Sequence, residues 1–204
     1  MYKKLTERGS KICRACNSKN LENVIDLGCH PLPAEYGLNA DDVLDTFPLI
    51  LNICKDCGLG QIGEYVLPER IFHKKYPYLS SASSTWIRHA NEFANSIYKK
   101  LNLNKDSFVL ELASNDGYLL SEFKNLGVKV IGIEPASNVA SIAESKGIKT
   151  INNFFGKNLA KEILSEHGYP SLIVANNVFA HIPDMQDFIS GISLLTNEKT
   201  TVTI

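Results

Sequence analysis

The feature that most constrains the fold is an alternation of short apolar runs with helical patterns between residues 106 and 204. Strand patterns lie at 108–112, 129–133, 149–152, 171–175 and 200–204, and helical patterns lie at 117–125, 138–145, 157–166 and 185–195. Strands that alternate with helices of this length form a parallel sheet covered by helices. We therefore predict an α/β fold with a Rossmann-like, doubly wound domain over 106–204. Because such a sheet normally continues after its fifth strand, we expect this domain to be incomplete at its C-terminal end.

Cysteines dominate the segment that precedes this domain. Four of the five cysteines form two Cys-x-x-Cys pairs, Cys13 with Cys16 and Cys54 with Cys57. Each pair lets two thiolates reach one ion from a tight turn, and two pairs complete the tetrahedral shell of a structural zinc ion. A site with four cysteine ligands has no open position, so we expect the metal to support structure only. Redox pairs or four unrelated thiols are the alternatives, and Cys29 is expected to be a plain thiol.

The chain therefore divides into three predicted segments. Residues 1–66 form a small β-rich zinc-binding module, with strands expected at 24–27 and 49–53 and a turn-rich stretch at 27–33. Residues 67–105 form a helical connector, in which apolar residues recur at helical spacing from about 85 to 101. Residues 106–204 form the Rossmann-like domain.

Composition restricts the partners. The net charge of −1 gives no basic excess that would favour nucleic acid. The first ten residues lack the apolar core of a signal peptide, and no segment reaches the roughly 20 apolar residues that cross a bilayer. We therefore expect a cytoplasmic protein that binds neither nucleic acid nor membrane, while its oligomeric state stays open.

A cofactor site is predicted where the first strand of the Rossmann-like domain ends. The strand at 108–112 runs into a polar turn and then a helix, the position at which open α/β sheets bind ligands. Asn115 and Gly117 tolerate the positive φ that this turn needs, and amides at the helix start can meet a carboxylate. Glu134 follows Gly117 by 17 residues, at the end of the second strand, where it can accept hydrogen bonds from a ribose diol. The alternative is an ordinary acid in solvent.

The turn favours one cofactor class over another. A dinucleotide needs the Gly-x-Gly-x-x-Gly pattern so that its pyrophosphate can approach the backbone, and here Ala113 and Asn115 stand where two of those glycines would be. A cofactor without phosphates tolerates this substitution better. The pattern therefore favours S-adenosylmethionine over NAD(P).

Several segments together resemble the class I sugar C-methyltransferases, which carry an N-terminal zinc-binding domain. They are the two cysteine pairs, Tyr76-x-Tyr-x-Ser-Ser81, Glu111-Leu-Ala-Ser-Asn-Asp-Gly-Tyr-Leu-Leu120 and Asn176-Asn-Val-Phe-Ala-His-Ile-Pro183. The resemblance implies S-adenosylmethionine as cofactor and a nucleotide-linked 4-keto deoxysugar as substrate, methylated on carbon through an enolate.

The resemblance also implies roles for individual residues. The methionine end of the cofactor would be held by Glu111, Ala113, Ser114, Asn115 and Gly117, the ribose by Glu134, the adenine by Asn153 and Phe154, and the sulfonium by Asn176 and Asn177. Core packing is an equal alternative for Phe154.

The roles that the resemblance implies for residues on the substrate side each have an alternative. Tyr76 and Tyr78 would face the substrate or merely pack the connector, and His181 would be a polar participant or a structural histidine. Family members continue past the fifth strand, and their motif for proton abstraction lies in that later part, so we expect little catalysis from these 204 residues alone. The competing interpretations are a non-catalytic zinc-containing binding module and a methyltransferase for another small molecule.

Overall fold

The computed structural model describes residues 12–33, 35, 44–63 and 66–204. These residues form two compact units. One unit extends to Ile71 and includes Pro183–Gln186, and the other comprises Phe72–Ile182 and Asp187–Ile204. In the described part of the chain, no helix combines the length and apolarity that a membrane span requires.

The first unit is built on an antiparallel sheet of three strands in the order β1-β2-β3. The strands are β1 (Leu21–Pro31), β2 (Thr46–Cys54) and β3 (Gly60–Ile62), and a short helix α1 (Pro68–Ile71) follows. The predicted strands at 24–27 and 49–53 lie within β1 and β2, but the turn predicted for 27–33 is wrong over 27–31. There β1 continues through an irregularity between Asp26 and Cys29, where Gly28 adopts φ 80° and donates its N–H to Asp26 Oδ1. A β-bulge absorbs the turn-forming residues without ending the strand.

The second unit contains the predicted alternation of strands and helices. Its elements are α2 (Ser84–Lys100), β4 (Phe108–Leu112), α3 (Tyr118–Asn125), β5 (Lys129–Ile133), α4 (Ser137–Ser145), β6 (Thr150–Ile151), α5 (Lys157–His167), β7 (Leu172–Val174), α6 (Met185–Leu194, whose first two residues belong to the other unit) and β8 (Thr201–Thr203). The strands form one parallel sheet in the order β6-β5-β4-β7-β8. This arrangement confirms the predicted Rossmann-like α/β fold.

The strand β4 lies at the centre of this sheet, and all five of its residues are buried. Two apolar clusters contact it from opposite faces, because alternate side chains of a strand point to opposite sides. Leu110 and Leu112 enter one cluster, and Val109 enters the other together with Ala90 and Ala94 of α2. The helix predicted in the connector is thus part of the core of the second unit.

Candidate zinc centre and cofactor-binding turn

The four predicted metal ligands converge in the first unit. Their Sγ atoms lie within 4.8 Å of one another, with Cys13 and Cys57 at 3.5 Å and Cys16 and Cys54 at 3.6 Å. A tetrahedral zinc ion with Zn–S bonds of about 2.3 Å separates its sulfurs by about 3.8 Å. The donor set and its spacing therefore fit zinc. Cys29 is exposed and lies outside the cluster.

The pKa values of two of these thiols are shifted in opposite directions. A backbone hydrogen bond at Ser18 lowers the pKa of Cys16, but burial and the three neighbouring sulfurs raise it to about 12 overall. Burial raises the pKa of Cys13, but hydrogen bonds from the backbone of Cys16 and Ala15 bring it down to about 7. Four crowded thiolates need a cation to compensate their charge, and a zinc ion supplies that charge.

Gln61 supports the first cysteine pair, a role that the sequence did not indicate. This side chain is only 5% exposed. Its Oε1 accepts from the Arg14 N–H at 3.0 Å, and its Nε2 donates to the Ile12 carbonyl at 3.0 Å. One amide from β3 thus holds the backbone on both sides of Cys13.

The turn between β4 and α3 has the backbone conformation that the cofactor hypothesis requires. Ala113, Asn115 and Gly117 adopt φ values of 54°, 51° and 73°. The positive φ predicted for Asn115 and Gly117 is confirmed, and Ala113 shares it although alanine disfavours it. At Gly117, a Cβ atom would lie 3.2 Å from the Ala143 Cβ and 3.1 Å from Ile148 Cγ1, so glycine suits the position on both grounds.

Glu134 lies directly against this turn. Its Oε2 accepts from the Asn115 N–H at 2.9 Å, and its Oε1 accepts from the Ala136 N–H at 2.8 Å. The side chain is buried, and burial raises its pKa even though the two backbone N–H groups lower it. Each carboxylate oxygen has a second lone pair, so both can still accept from ligand hydroxyls. Glu134 is therefore oriented as a ribose acceptor requires.

Glu111 and Asp116 bring further buried carboxyls to the same place. Glu111 is 3% exposed and Asp116 is fully buried. Burial raises the pKa of Glu111 well above its usual range, and the charges of Glu134 and Asp116 raise it further. Among the described residues around this turn, four buried side-chain oxygens have no hydrogen-bond partner: Glu111 Oε2, Ser114 Oγ, Asp116 Oδ1 and Asn138 Oδ1. Buried polar atoms without partners are uncommon, and here they suit a polar ligand such as an amino acid moiety or a ribose.

Ser114 differs from its neighbours in the turn. Its side chain is fully buried and faces the sheet, where a Cβ added at Gly132 would lie 2.3 Å from Ser114 Oγ. Its backbone N–H donates to the Ile133 carbonyl at 2.9 Å. The Ser114 side chain thus packs between β4 and β5, and only its backbone is left to contact a cofactor.

The segment Tyr76–Ser81, here called the strap, is attached to the turn by its backbone. Asn115 Oδ1 accepts from the Ser80 N–H at 2.8 Å, and Asn115 Nδ2 donates to the Tyr78 carbonyl at 3.2 Å. Ser81 Oγ donates to Asp116 Oδ2, and Asn138 Nδ2 donates to the Tyr76 carbonyl at 2.8 Å. The Tyr78 side chain is 56% exposed. Burial raises the pKa of Tyr76, and the charge of Glu134 raises it further.

The residues predicted to hold the adenine follow β6. Asn153 is exposed, and its Oδ1 accepts from the Phe154 N–H at 2.8 Å. Phe154 is 36% exposed, and its ring lies edge-on to Phe72 at 6.5 Å. Phe154 is therefore no core residue, and its ring is accessible to a ligand.

The residues that follow β7 line a cavity of about 280 Å³ in the second unit. Its lining consists of Trp86, His89, Ala90, Phe93, Tyr118, Leu119, Asn176, Asn177 and Ile204. The Trp86 and His89 rings stack with centroids 5.1 Å apart, and Asn177 adopts φ 57°. Asn176 and Asn177 thus share a cavity with aromatic rings. His181 lies apart from this lining, exposed in a 3-10 turn at Phe179–His181.

Lys146 is a second residue that sequence reasoning missed. Its Nζ donates to the Asp116 carbonyl at 2.9 Å and to Asp116 Oδ2 at 3.1 Å. A lone lysine at the end of a helix carries no sequence signal for such a contact, because 30 residues separate the two partners.

Comparison with known proteins identifies two family domains, of which the first contains the cysteine cluster and the second contains the turn after β4. A profile described as "Putative zinc binding domain" matches residues 13–72, and one described as "Methyltransferase domain" matches residues 86–204. The chain belongs to the methyltransferase-domain family. The predicted combination of a zinc-binding region with a methyltransferase domain is thereby confirmed, and the predicted cofactors, S-adenosylmethionine and zinc, agree with it.

A curated relative and several solved structures are similar to parts of the chain. The C-methyltransferase NovU of Streptomyces niveus is 30% identical over 185 residues, which are 90% of this chain and 44% of NovU. The methyltransferase chain thus spans less than half the length of this curated relative. Among solved structures, magnesium protoporphyrin IX methyltransferase of Synechocystis PCC 6803 with bound SAM matches 54% of this chain and 57% of its own, at 17% identity and a TM-score of 0.42. A SAM-dependent methyltransferase of Geobacter sulfurreducens in complex with S-adenosyl-L-homocysteine matches 54% and 46%, at 14% identity and a TM-score of 0.40.

Proposed function

We propose that the chain is the zinc-binding and cofactor-binding part of a cytoplasmic methyltransferase that uses S-adenosylmethionine to methylate a carbon of a nucleotide-linked keto-deoxysugar. The observation that carries the proposal is the turn of residues 112–118, with three positive φ angles and the buried Glu134 hydrogen-bonded to its backbone. NovU, which shares 30% identity, is a C-methyltransferase, and this supports carbon as the methyl acceptor.

The residues at the turn have distinct tasks in this proposal. Glu134 accepts the ribose hydroxyls with the lone pairs that its backbone contacts leave available. The first amides of α3, which have no acceptor within the helix, bind the cofactor carboxylate. Glu111 provides an unpartnered buried oxygen for the polar amino acid end, and Asn153 and Phe154 flank the adenine.

The acceptor is proposed to lie in the aromatic cavity. Asn176 and Asn177 line it together with the stacked rings of Trp86 and His89, which suit a planar base or an apolar sugar face. Tyr76 and Tyr78 of the strap and His181 do not line this cavity, and their contact with the acceptor is part of the proposal.

The reaction needs a general base that takes a proton from the carbon beside the ketone, so that an enolate forms and this carbon can attack. By the family resemblance, that base belongs to the part of the protein that follows these 204 residues. S-adenosylmethionine supplies the methyl group, which bonds to that carbon while the sulfur keeps the electrons of the broken bond. The chain contributes orientation at near-attack distance and exclusion of water. Zinc stays in the first unit and takes no part in the transfer.

The cofactor proposal is tested by calorimetry with S-adenosylhomocysteine. We expect one site per chain, no binding of NAD, and at least a tenfold loss of affinity in Glu134→Gln, because hydrogen bonds to a charged group contribute about 1.5–3 kcal/mol each. Glu144→Gln, on the exposed side of α4, is the matched control. A folded chain that ignores S-adenosylhomocysteine would overturn the proposal.

The acceptor proposal needs a second titration, on the chain loaded with S-adenosylhomocysteine. A nucleotide-linked 4-keto sugar should bind more tightly than the nucleotide alone, and Trp86→Ala should weaken both. Equal affinity for unrelated small methyl acceptors would favour a methyltransferase of another substrate class.

A further inference from the structure

Asn115 occupies a position where a Rossmann fingerprint has glycine, but here the side chain forms two hydrogen bonds. The residue adopts φ 51°, which asparagine tolerates better than most residues. It is 8% exposed, and its amide faces the strap, where both polar atoms are satisfied. A glycine would supply the same φ without these two contacts. Asparagine therefore suits this position for two reasons: it tolerates the positive φ of the turn, and its amide bonds to the strap.

The contacts of Asn115 connect three separate segments. Its side chain accepts from Ser80 at 2.8 Å and donates to the Tyr78 carbonyl at 3.2 Å, while its own N–H donates to Glu134 Oε2 at 2.9 Å. Ser80 is 7% exposed and Glu134 is 3% exposed, so these bonds are shielded from water. A displacement of any one segment breaks hydrogen bonds to the others, and buried polar groups left without partners are costly.

A second group of contacts reinforces the same attachment. Asp116 is fully buried, accepts from Ser81 Oγ and from Lys146 Nζ, and is adjacent to Asn115 in the chain. Asn138 of α4 holds the Tyr76 carbonyl at 2.8 Å. Tyr76 and Tyr78 are thus held by their backbone carbonyls. The Tyr78 ring is exposed, and the half-buried Tyr76 ring lies 5.3 Å from the Phe72 ring.

We propose that Asn115 is a positioning residue, whose side-chain amide clasps the strap Tyr76–Ser81 to the cofactor turn and so couples the placement of Tyr76 and Tyr78 to occupancy of the cofactor site. The clasp itself stands on the hydrogen bonds above, and only the coupling to the cofactor rests on the proposed function.

The clasp is tested by hydrogen–deuterium exchange of a peptide covering residues 76–83. Asn115→Gly keeps the positive φ and removes the amide, and exchange of the Ser80 N–H should rise about tenfold, because two hydrogen bonds are lost. Asn102→Gly is the matched control, since Asn102 also adopts a positive φ, 51°, at the end of α2. Unchanged exchange in Asn115→Gly would overturn the clasp.

A second variant approaches the contact from the strap, in case Asn115→Gly does not fold. Ser80 begins a 3-10 turn and follows Leu79, whose φ of −118° and ψ of 119° suit a residue before proline. Ser80→Pro deletes the N–H that Asn115 accepts while fixing a compatible φ. Exchange at Ser81 and Ala82 should rise several-fold, with the affinity for S-adenosylhomocysteine changed less than about threefold. Wild-type exchange in this variant would also overturn the clasp.

The coupling has its own measurement. S-adenosylhomocysteine should slow exchange in peptide 76–83 of the wild-type chain, and Ser80→Pro should abolish that slowing although the compound still binds. If the compound binds both proteins and slows exchange equally, the coupling is wrong. If it binds neither, the proposed function fails, and the clasp is still judged from exchange without ligand.

Discussion

The two sheets of this protein are stabilised in different ways. In the parallel sheet, all five residues of β4 are buried. In the antiparallel sheet, ten of the eleven residues of β1 are exposed, Leu27 by 60%, while Cys13 and Cys54 are fully buried. The first unit thus places its most buried atoms at the sulfur cluster, whereas the second places them in a continuous apolar core.

This difference shows what a small unit needs in order to fold. A single sheet of three strands, whose residues are mostly exposed or half-buried, buries too little apolar surface to balance its conformational entropy, so a metal ion takes the place of a core. The parallel sheet has helices on both faces and needs no such support. The predictions below test this contrast from the largest expected effect to the smallest.

Removal of the metal should affect one unit only. Cys54→Ala, or a strong chelator, is expected to lower the zinc content from one ion per chain to near zero, and amide exchange should rise in residues 12–33 and 44–63 but not in 108–133. A structural zinc site contributes about 10–16 kcal/mol to the folding of small domains. Cys29→Ala, at an exposed cysteine outside the cluster, is the control. Loss of structure throughout the chain would contradict the contrast.

Truncation of an apolar side chain should destabilise the parallel sheet much more than the antiparallel sheet. Leu110→Ala in β4 removes a fully buried side chain and should cost about 2–5 kcal/mol in the free energy of unfolding, measured by urea denaturation. Leu27→Ala in β1 should change it by no more than about 0.5 kcal/mol, because that side chain is exposed. Comparable losses in the two variants would show that β1 has a partner in solution.

The contrast extends to two strand glutamates, Glu111 in β4 and Glu22 in β1. The pKa of Glu111 is raised, so between its unfolded pKa of about 4.3 and its higher folded pKa the unfolded chain ionises first, and stability falls as pH rises. Glu111→Gln should remove this slope and raise stability at pH 8, because it removes a carboxyl whose charged form is disfavoured by burial.

Glu22 should behave in the opposite way. Its hydrogen bond and ion pair with Lys55 lower its pKa, so it stabilises the protein above its unfolded pKa and loses that contribution as pH falls. Glu22→Gln should therefore destabilise slightly, and less so in high salt, because the pair is exposed. Urea denaturation decides the signs, at about pH 5 and pH 8 for the Glu111 variant and at about pH 3 and pH 6 for the Glu22 variant, because the lowered pKa of Glu22 confines its effect to acid pH. Two slopes of the same sign would refute the assignment.

The smallest expected difference between the two sheets is the effect on stability of replacing a strand glycine by alanine. A Cβ at Gly132 in β5 would lie 2.3 Å from Ser114 Oγ and 2.9 Å from Ser114 Cβ, whereas one at Gly60 in β3 would meet only Leu51 Cδ1, at 3.7 Å. Gly132→Ala should cost about 1–3 kcal/mol through overpacking. Gly60→Ala should be near neutral. Thermal denaturation checks both, and a neutral Gly132→Ala would show that Ser114 can move away.

Features that depend on residues close in the chain could be predicted from the sequence, whereas most contacts between distant residues could not. The cysteine pairs, the β4 turn and Glu134 could be predicted, because each is determined by residues close in the chain or by the βα order. The clasp between Asn115 and Ser80 could not, because it joins residues 35 apart through backbone groups, which every residue has. Lys146 on Asp116 and Gln61 on Arg14 were missed for the same reason. The predicted cofactor and substrate roles of these residues remain predictions until ligands are measured.

The left-handed backbone of Ala113 has a consequence for how the protein would respond to heating. An alanine at φ 54° lies about 1–2 kcal/mol above its preferred conformations, and pairing of β4 with its neighbours is what keeps it there. As soon as the end of β4 detaches from β5, Ala113 relaxes and the loop before α3 loses its shape, although most of the sheet is still folded. Loss of the turn conformation at elevated temperature would then precede melting, so the affinity for S-adenosylhomocysteine would be a more sensitive indicator of early damage than circular dichroism.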